Sequence, residues 1–225
     1  MFPKMQKAIK YKTRSQMLSL IPTCGKVAEI GVFRGDFSHE ILQTCHPTEL
    51  VLFDLWPDGP VDSGDADGKN PQVFGGSDLE KSVRLRFERS SHVRIFKGCS
   101  SQIREFPADY FDAIYVDGDH SHKGVKRDLV NSWRCLKHGG WLMGHDYEAN
   151  SDKTNISYDF GVKDSVDEFC WQFGEFIHAF GMDGQVSYAI QVTKKNRLYY
   201  GRLYRIQIHL QRLLKRSLRK IQRFF

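Results

Sequence analysis

The chain has no Cys-x-x-C pair and no apolar run near the ~18 residues expected of a membrane span. From Arg197 to Phe225 it has no acidic residue. Each absence excludes something. The five cysteines, Cys24, Cys45, Cys99, Cys135 and Cys170, are scattered and odd in number, so neither a cysteine zinc site nor a disulfide framework is expected. A reducing, cytoplasmic setting fits such usage. The start, Met1 to Lys7, lacks an apolar core, so no secretory signal is expected there. The net charge of +6 belongs to the end of the chain. Nine Lys or Arg fall within 197–225, which leaves residues 1–196 at a net charge of −3. A mildly acidic body argues against a basic nucleic-acid groove.

What is present is an alternation of strands and helices, the pattern of a parallel sheet with crossover helices. Strands are predicted at Val27–Val32, Glu49–Trp56, Val93–Gly98, Phe111–Val116 and Trp141–Gly144. Helices are predicted from about Asp36 to Thr44, from about Lys123 to Leu136 and over Val162–Phe173. Gly139 and Gly140 are expected to stop the second of these. Two late strands near Phe176–Phe180 and Val186–Thr193 suggest an antiparallel hairpin closing the sheet. Pro57–Asp78 and Glu148–Gly161 lack periodicity and read as loops, either plain surface or walls over a site. The Asp- and Gly-rich part of the first does not make a calcium loop, because Phe74 stands where a bidentate Glu is needed.

Chemistry collects at predicted strand ends. Ligands of open α/β sheets sit outside the carboxyl ends of the strands. The fourth strand runs into Asp117, Asp119, His120 and His122, and the fifth into His145 and Asp146. Two strand-end acids with bases beside them suggest a metal-assisted enzyme. After the first strand, Gly31 and Gly35 allow a tight turn, although the third glycine of a dinucleotide fingerprint is missing. Glu29 is a carboxylate inside an apolar strand and needs a donor. Asp54 ends the second strand where a ribose diol can be bound, or where it can cap a loop. Gly98, Cys99 and Ser100 follow the third strand, the place for adenine-side contacts.

The set Glu29, Gly31, Gly35, Asp54 and Asp117 resembles the class I S-adenosylmethionine-dependent methyltransferases, over roughly residues 14–194. The resemblance implies a Rossmann-like, doubly wound, seven-stranded, mostly parallel sheet in a domain spanning residues 1–196. It places Glu29, Gly31 and Gly35 around the methionine moiety and Asp54 on the ribose hydroxyls. The segments Asp117–Asp128 and Gly139–Tyr147 are similar to the metal-dependent sugar O-methyltransferases of the macrocin, mycinamicin and noviose type. In that group acids after the fourth and fifth strands hold magnesium. Asp117 and Asp146 match two of these positions, so magnesium is the expected cation; His145 replaces the third acid, and a nitrogen from it would tilt the preference towards manganese or another transition metal. His120 matches the base of the mycinamicin type and Asp119 that of the noviose type; His120 is preferred for its near-neutral intrinsic pKa. The expected acceptor is a small molecule or glycan.

In the tail, Leu203, Ile206, Leu210, Leu213, Leu214, Leu218, Ile221 and Phe225 recur mostly every three or four residues among Arg and Lys. That spells a basic amphipathic helix over 197–225. It would lie on an anionic membrane surface, dock on an acidic partner, or pack on its own body or a second subunit. Two rival readings stand beside the sugar enzyme: an RNA or protein methyltransferase using this tail, and a non-catalytic binding protein on the same fold.

Overall fold

In the computed structural model of the chain, the residues described are 8–57, 60–61, 74–148 and 161–193. The basic tail and most of both aperiodic stretches lie outside them. The main sheet holds eight strands in the order β1-β9-β10-β8-β7-β2-β3-β6. These are β1 (Ile9–Tyr11), β2 (Lys26–Ile30), β3 (Glu49–Asp54), β6 (Val93–Lys97), β7 (Phe111–Val116), β8 (Leu136–Gly144), β9 (Ile177–Gly181) and β10 (Ser187–Gln191). β10 pairs antiparallel with β8 and β9, and the remaining neighbours are parallel. A separate antiparallel pair joins β4 (Pro60–Val61) to β5 (Phe74–Gly75).

The expected count of seven strands is corrected to eight. β1, only three residues long, adds to the edge by pairing with β9. A helix that the pattern reading did not predict, α3 (Gly76–Arg86), carries Leu79 and Val83 into the core, followed by Phe87. The glycine pair is also reassigned. Helix α4 (His122–Cys135) ends before it, and Gly139 and Gly140 lie within β8, whose pairing with β7 shifts register between Phe111 and Ala113. A side chain at Gly140 would stand 2.9 Å from the Asp112 carbonyl, so the glycine serves strand packing rather than helix termination.

Side chains alternate across the sheet, so each strand feeds two apolar layers. Ala28, Ile30, Val51, Phe53, Ile114 and Val116 pack against α4 and α5 (Val162–Phe173). Val27, Leu50, Leu52, Ala113, Tyr115 and Met143 face the other way. They meet Met17 of α1 (Arg14–Met17), Phe37 and Ile41 of α2 (Asp36–Cys45), and Val83 of α3. The same alternation puts Glu29 on the α2 side. From β2 the chain builds outward through β3 and β6, then returns to lay β7 and β8 on the other flank. The carboxyl ends of β2 and β7 therefore border the topological switch point, where such sheets bind ligands.

Candidate functional site

Gly31 leaves β2 at this switch point with φ of 89°. A Cβ there would lie 2.0 Å from the Asp117 carbonyl oxygen, so only glycine lets the β2 exit pass the end of β7 so closely. The amide of Asp117 donates to the Ile30 carbonyl at 2.7 Å, which locks the two exits together. Gly35, with φ of 75°, is the residue before α2 and turns the chain into it.

The two acids expected beside this turn both have partners. Glu29 is buried and accepts from the Ser38 hydroxyl at the start of α2. Burial pushes its pKa up to about 8, only partly offset by that hydrogen bond, so the carboxyl is protonated at neutral pH. Asp54 holds the loops. Its Oδ2 accepts the backbone amides of Val32 and Phe33, each at 2.8 Å, and its Oδ1 accepts the Trp56 amide at 2.9 Å. Phe33 (φ 51°) and Trp56 (φ 33°) are both in left-handed conformations that a side chain disfavours. Val32 and Trp56, expected to continue their strands, belong to these loops instead.

Beside Gly31 the acid and imidazole groups converge. His120 Nε2 is 3.1 Å from Asp146 Oδ2 and 3.4 Å from Asp117 Oδ1. His145 Nδ1 is 3.2 Å from Asp146 Oδ1 and 3.9 Å from Asp117 Oδ1. Burial alone would lower the His120 pKa, but its contacts with the two carboxylates raise it to about 10. Burial likewise opposes ionisation of Asp146, yet the two imidazoles hold its carboxyl far below the usual range. The two carboxylates thus favour the protonated form of His120. Asp146 is also the residue with φ of 61° that turns its carboxylate inward.

The cluster fits a cation. Among the described residues, Asp117, His120 and Asp146 place one ligand atom each within 4.8 Å of one another. Neighbouring donors on an octahedral ion at 2.0–2.1 Å stand about 3 Å apart, close to the two spacings around His120 Nε2. Oδ1 of Asp146 is buried and makes no hydrogen bond of good geometry, with His145 Nδ1 at 3.2 Å, so it can still accept a cation.

Other expected site residues lie apart from this cluster. Asp119 Oδ1 accepts the Ser121 amide at 3.0 Å, and its carboxylate faces Gly124 in the first turn of α4. His122 pairs with Glu168 at 3.3 Å. Gly98 and Cys99 follow β6, and Cys99 is exposed. A hydrogen bond from Ser101 lowers the Cys99 thiol pKa. Ser100 is buried and donates to Asp128 Oδ1 at 2.6 Å. One residue at the site went unpredicted. Arg14 reaches from α1 to within 3.6 Å of Asp117 Oδ2, with its guanidinium 4.5 Å from the centre of the Phe37 ring. Nothing local in the sequence marks it, because the contact crosses more than a hundred residues.

A protein family described as a methyltransferase domain matches residues 28–147, the stretch from β2 to the end of this cluster. The chain belongs to that methyltransferase family. Its donor is accordingly S-adenosylmethionine. A comparison with curated protein sequences finds no match. Solved structures share the methyltransferase's fold at low identity. The O-methyltransferase NovP aligns at TM-score 0.55 and 20% identity, over 80% of this chain and 78% of NovP. The N-methyltransferase NodS from Bradyrhizobium japonicum WM9 aligns at 0.55 and 16%, over 80% and 95%. The Methanococcus jannaschii fibrillarin pre-rRNA processing protein aligns at 0.54 and 12%, over 77% and 69%. Neighbours so different in acceptor show that the fold leaves the acceptor open. No helix among the methyltransferase's described residues is long and apolar enough to cross a membrane.

Proposed function

We propose that this methyltransferase alkylates a hydroxyl oxygen of a sugar or glycan, with a divalent cation held by Asp117, His120 and Asp146. The observation that carries the reading is the convergence of those three side chains beside Gly31, at the carboxyl ends of β7 and β8. Methyl transfer from a sulfonium is an in-line displacement: oxygen bonds to the methyl carbon as the carbon–sulfur bond breaks, leaving a thioether. The electrophile is activated by its own charge, so the protein must supply alignment and an ionisable nucleophile. A sugar hydroxyl is too weak an acid to ionise near neutral pH unaided, and a bound divalent cation supplies the acidification. In this proposal two roles are assigned differently from the pattern. His120 takes the ligand position given to His145, because its Nε2 stands nearer both carboxylates than His145 Nδ1 stands to Asp117. His145, the second imidazole on the pair, becomes the proton acceptor in place of His120 or Asp119.

The test is transfer of tritiated methyl to a panel of sugars and glycans, with and without EDTA and with magnesium or manganese restored. Turnover lost on chelation and regained with metal is expected. His120→Ala should weaken metal affinity, whereas His145→Ala should lower turnover at saturating metal. Full activity in EDTA removes the cation from the reaction. Transfer confined to RNA or protein acceptors would instead favour a substrate recruited by the basic tail, and donor binding without any transfer would mark a non-catalytic protein.

A further inference from the structure

The sheet is covered unevenly towards its β1 edge. On one face Tyr188, Ile190 and Val192 join the core layer closed by α4 and α5. On the other, Met143, Ala179 and Ala189 meet Met17 of α1 and Leu18 of the short 3-10 helix Leu18–Leu20. Beyond Leu20 these elements leave a groove of about 360 Å³ over β8, β9 and β10, with Ile9 of β1 at its rim. Ile9 and Phe176 line it while 57% and 42% exposed. Sheets of this kind have both faces covered, and adjoining exposed apolar side chains mark a surface that something else occupies.

The groove suits an apolar guest. Phe176 stacks on His178 with ring centres 4.7 Å apart, and Trp141 meets the same imidazole edge-on at 5.9 Å. The Gln191 amide donates to His178 Nδ1 at 3.1 Å, and burial lowers the pKa of this histidine, so the ring is uncharged at neutral pH. None of the described residues lining the groove is acidic, Lys or Arg, so a nucleic-acid backbone would find no cation there. Its volume is more than twice the ~150 Å³ void that accepts a benzene ring, room for two or more large side chains.

The chain's own continuation supplies that guest. Gln191 ends β10 and lines the groove, and the sequence runs on from it to the tail. Twelve residues separate Gln191 from Leu203, a span of up to about 40 Å, so reach is no obstacle. Helical spacing puts Leu203, Leu210, Leu214 and Ile221 on one side and the arginines and lysines on the other. A helix of this kind is marginal in water until its apolar side is packed. We propose that the tail seats its apolar side in the groove between Leu20, Trp141 and Phe176, completes the cover of the sheet, and turns its basic side to solvent. The groove lies where β1 and β9 begin and β10 ends, whereas Asp117 and Asp146 follow the ends of β7 and β8. The tail is therefore a brace at the far end of the strands rather than a lid over the reacting groups, and its cations stay available to an anionic surface.

Hydrogen exchange of the full chain, read by mass spectrometry alongside light scattering, tests the seat. Amides of 203–225 should exchange slowly in the monomer without any added partner. Ile9→Asp and Phe176→Asp, both at partly exposed positions, should each speed that exchange about ten- to a hundredfold, the effect of setting a charge against a buried apolar contact. Amides of β2 and β7 should stay protected in both variants, which shows that the body is folded. Trp171→Asp, at a side chain 82% exposed on α5, should leave the tail as it was. Tail amides that exchange at the rate of an unfolded chain in the wild type overturn the proposal, as does slow exchange that neither groove variant alters. Protection that appears only as the chain dimerises overturns it in favour of a seat on a second copy. Protection that appears only with phosphatidylserine vesicles overturns it in favour of a helix seated on lipid.

Discussion

Asp54→Asn separates two roles that a single carboxylate is asked to play. In the structure its two oxygens accept three backbone amides, from Val32, Phe33 and Trp56. Asparagine keeps one acceptor oxygen and turns the other into an N–H donor. Whichever way the amide is flipped, at least one backbone N–H then faces a donor. Leaving a part-buried donor unpaired costs about 1–3 kcal/mol. The left-handed backbone at Phe33 and Trp56 sharpens the loss, since each such residue relies on these bonds to hold a conformation disfavoured by about 1–2 kcal/mol. Trp56 is fully buried and its indole donates to the Phe33 carbonyl at 3.0 Å, so loosening one loop loosens the other. In a protein of this size each kcal/mol moves the melting temperature by about 2–4 °C, so a fall of about 3–10 °C is expected. Scanning calorimetry reads the stability, and titration with S-adenosylhomocysteine reads the site. Unchanged melting with weakened nucleoside binding would refute the loop-holding role and leave Asp54 to a ribose diol alone.

Three other outcomes are expected. Gly31→Ala should cost about 2–5 kcal/mol, combining the left-handed backbone with a clash against the Asp117 carbonyl. Gly139→Ala, also at positive φ but with nothing within 4 Å, should cost only the backbone part, and equal thermal shifts for the two would refute the clash. Glu29 carries a raised pKa in the folded protein, about 8 against 4.5, so the folded state binds the extra proton between those values. Its stabilisation is complete below about pH 4.5 and gone above about 8, falling by about 2 kcal/mol between pH 6 and 8. Glu29→Gln should flatten that slope, and parallel melting curves against pH would count against it. Removing residues 197–225 takes away nine basic residues, each worth about 1 kcal/mol near an anionic surface. Co-sedimentation with anionic vesicles should fall, and no change would assign the tail to packing.

The parts of the fold that were legible are those whose signal is local. Phe111–Val116 is apolar throughout except Asp112 and is followed at once by polar residues, and its strand ends fall where predicted. Val162–Phe173 likewise presents Val162, Val166, Phe169 and Phe173 at helical spacing and forms the expected helix. What escaped depends on distant partners. β1 has only three residues, two of them exposed, and is a strand solely because β9 offers an edge. Gly139-Gly140 reads locally as a helix stop, yet the structure uses it to bring β8 past the Asp112 carbonyl. Leu79, Val83 and Phe87 did carry a helical period, but α3 was masked by the polar residues around them. At the site, the strand-end acids were legible because burial forbids charge within the sheet. His120 and His145 were legible beside them in the same two segments, but Arg14 was not, because it meets Asp117 only through the topology.

The four acids of the crevice are compensated in different ways, and the difference localises where a cation would enter. Glu29 is neutral, holding its own proton under burial beside Ser38. Asp54 is satisfied by amides of its own chain, which cannot leave without unfolding two loops. Asp117 and Asp146 are balanced instead by the mobile charge of a protonated imidazole, with Arg14 at the outer oxygen of Asp117. A proton on nitrogen is exchangeable where a backbone amide is not. A divalent ion that displaces it puts two positive charges in place of one, matching the two carboxylates, and also offers a bond to Asp146 Oδ1, which makes no hydrogen bond of good geometry. Metal uptake at this pair should therefore release a proton, and calorimetric titration with manganese in buffers of different ionisation enthalpy measures it directly. Heats independent of the buffer would show that no proton leaves, and that the ion, if bound, lies elsewhere.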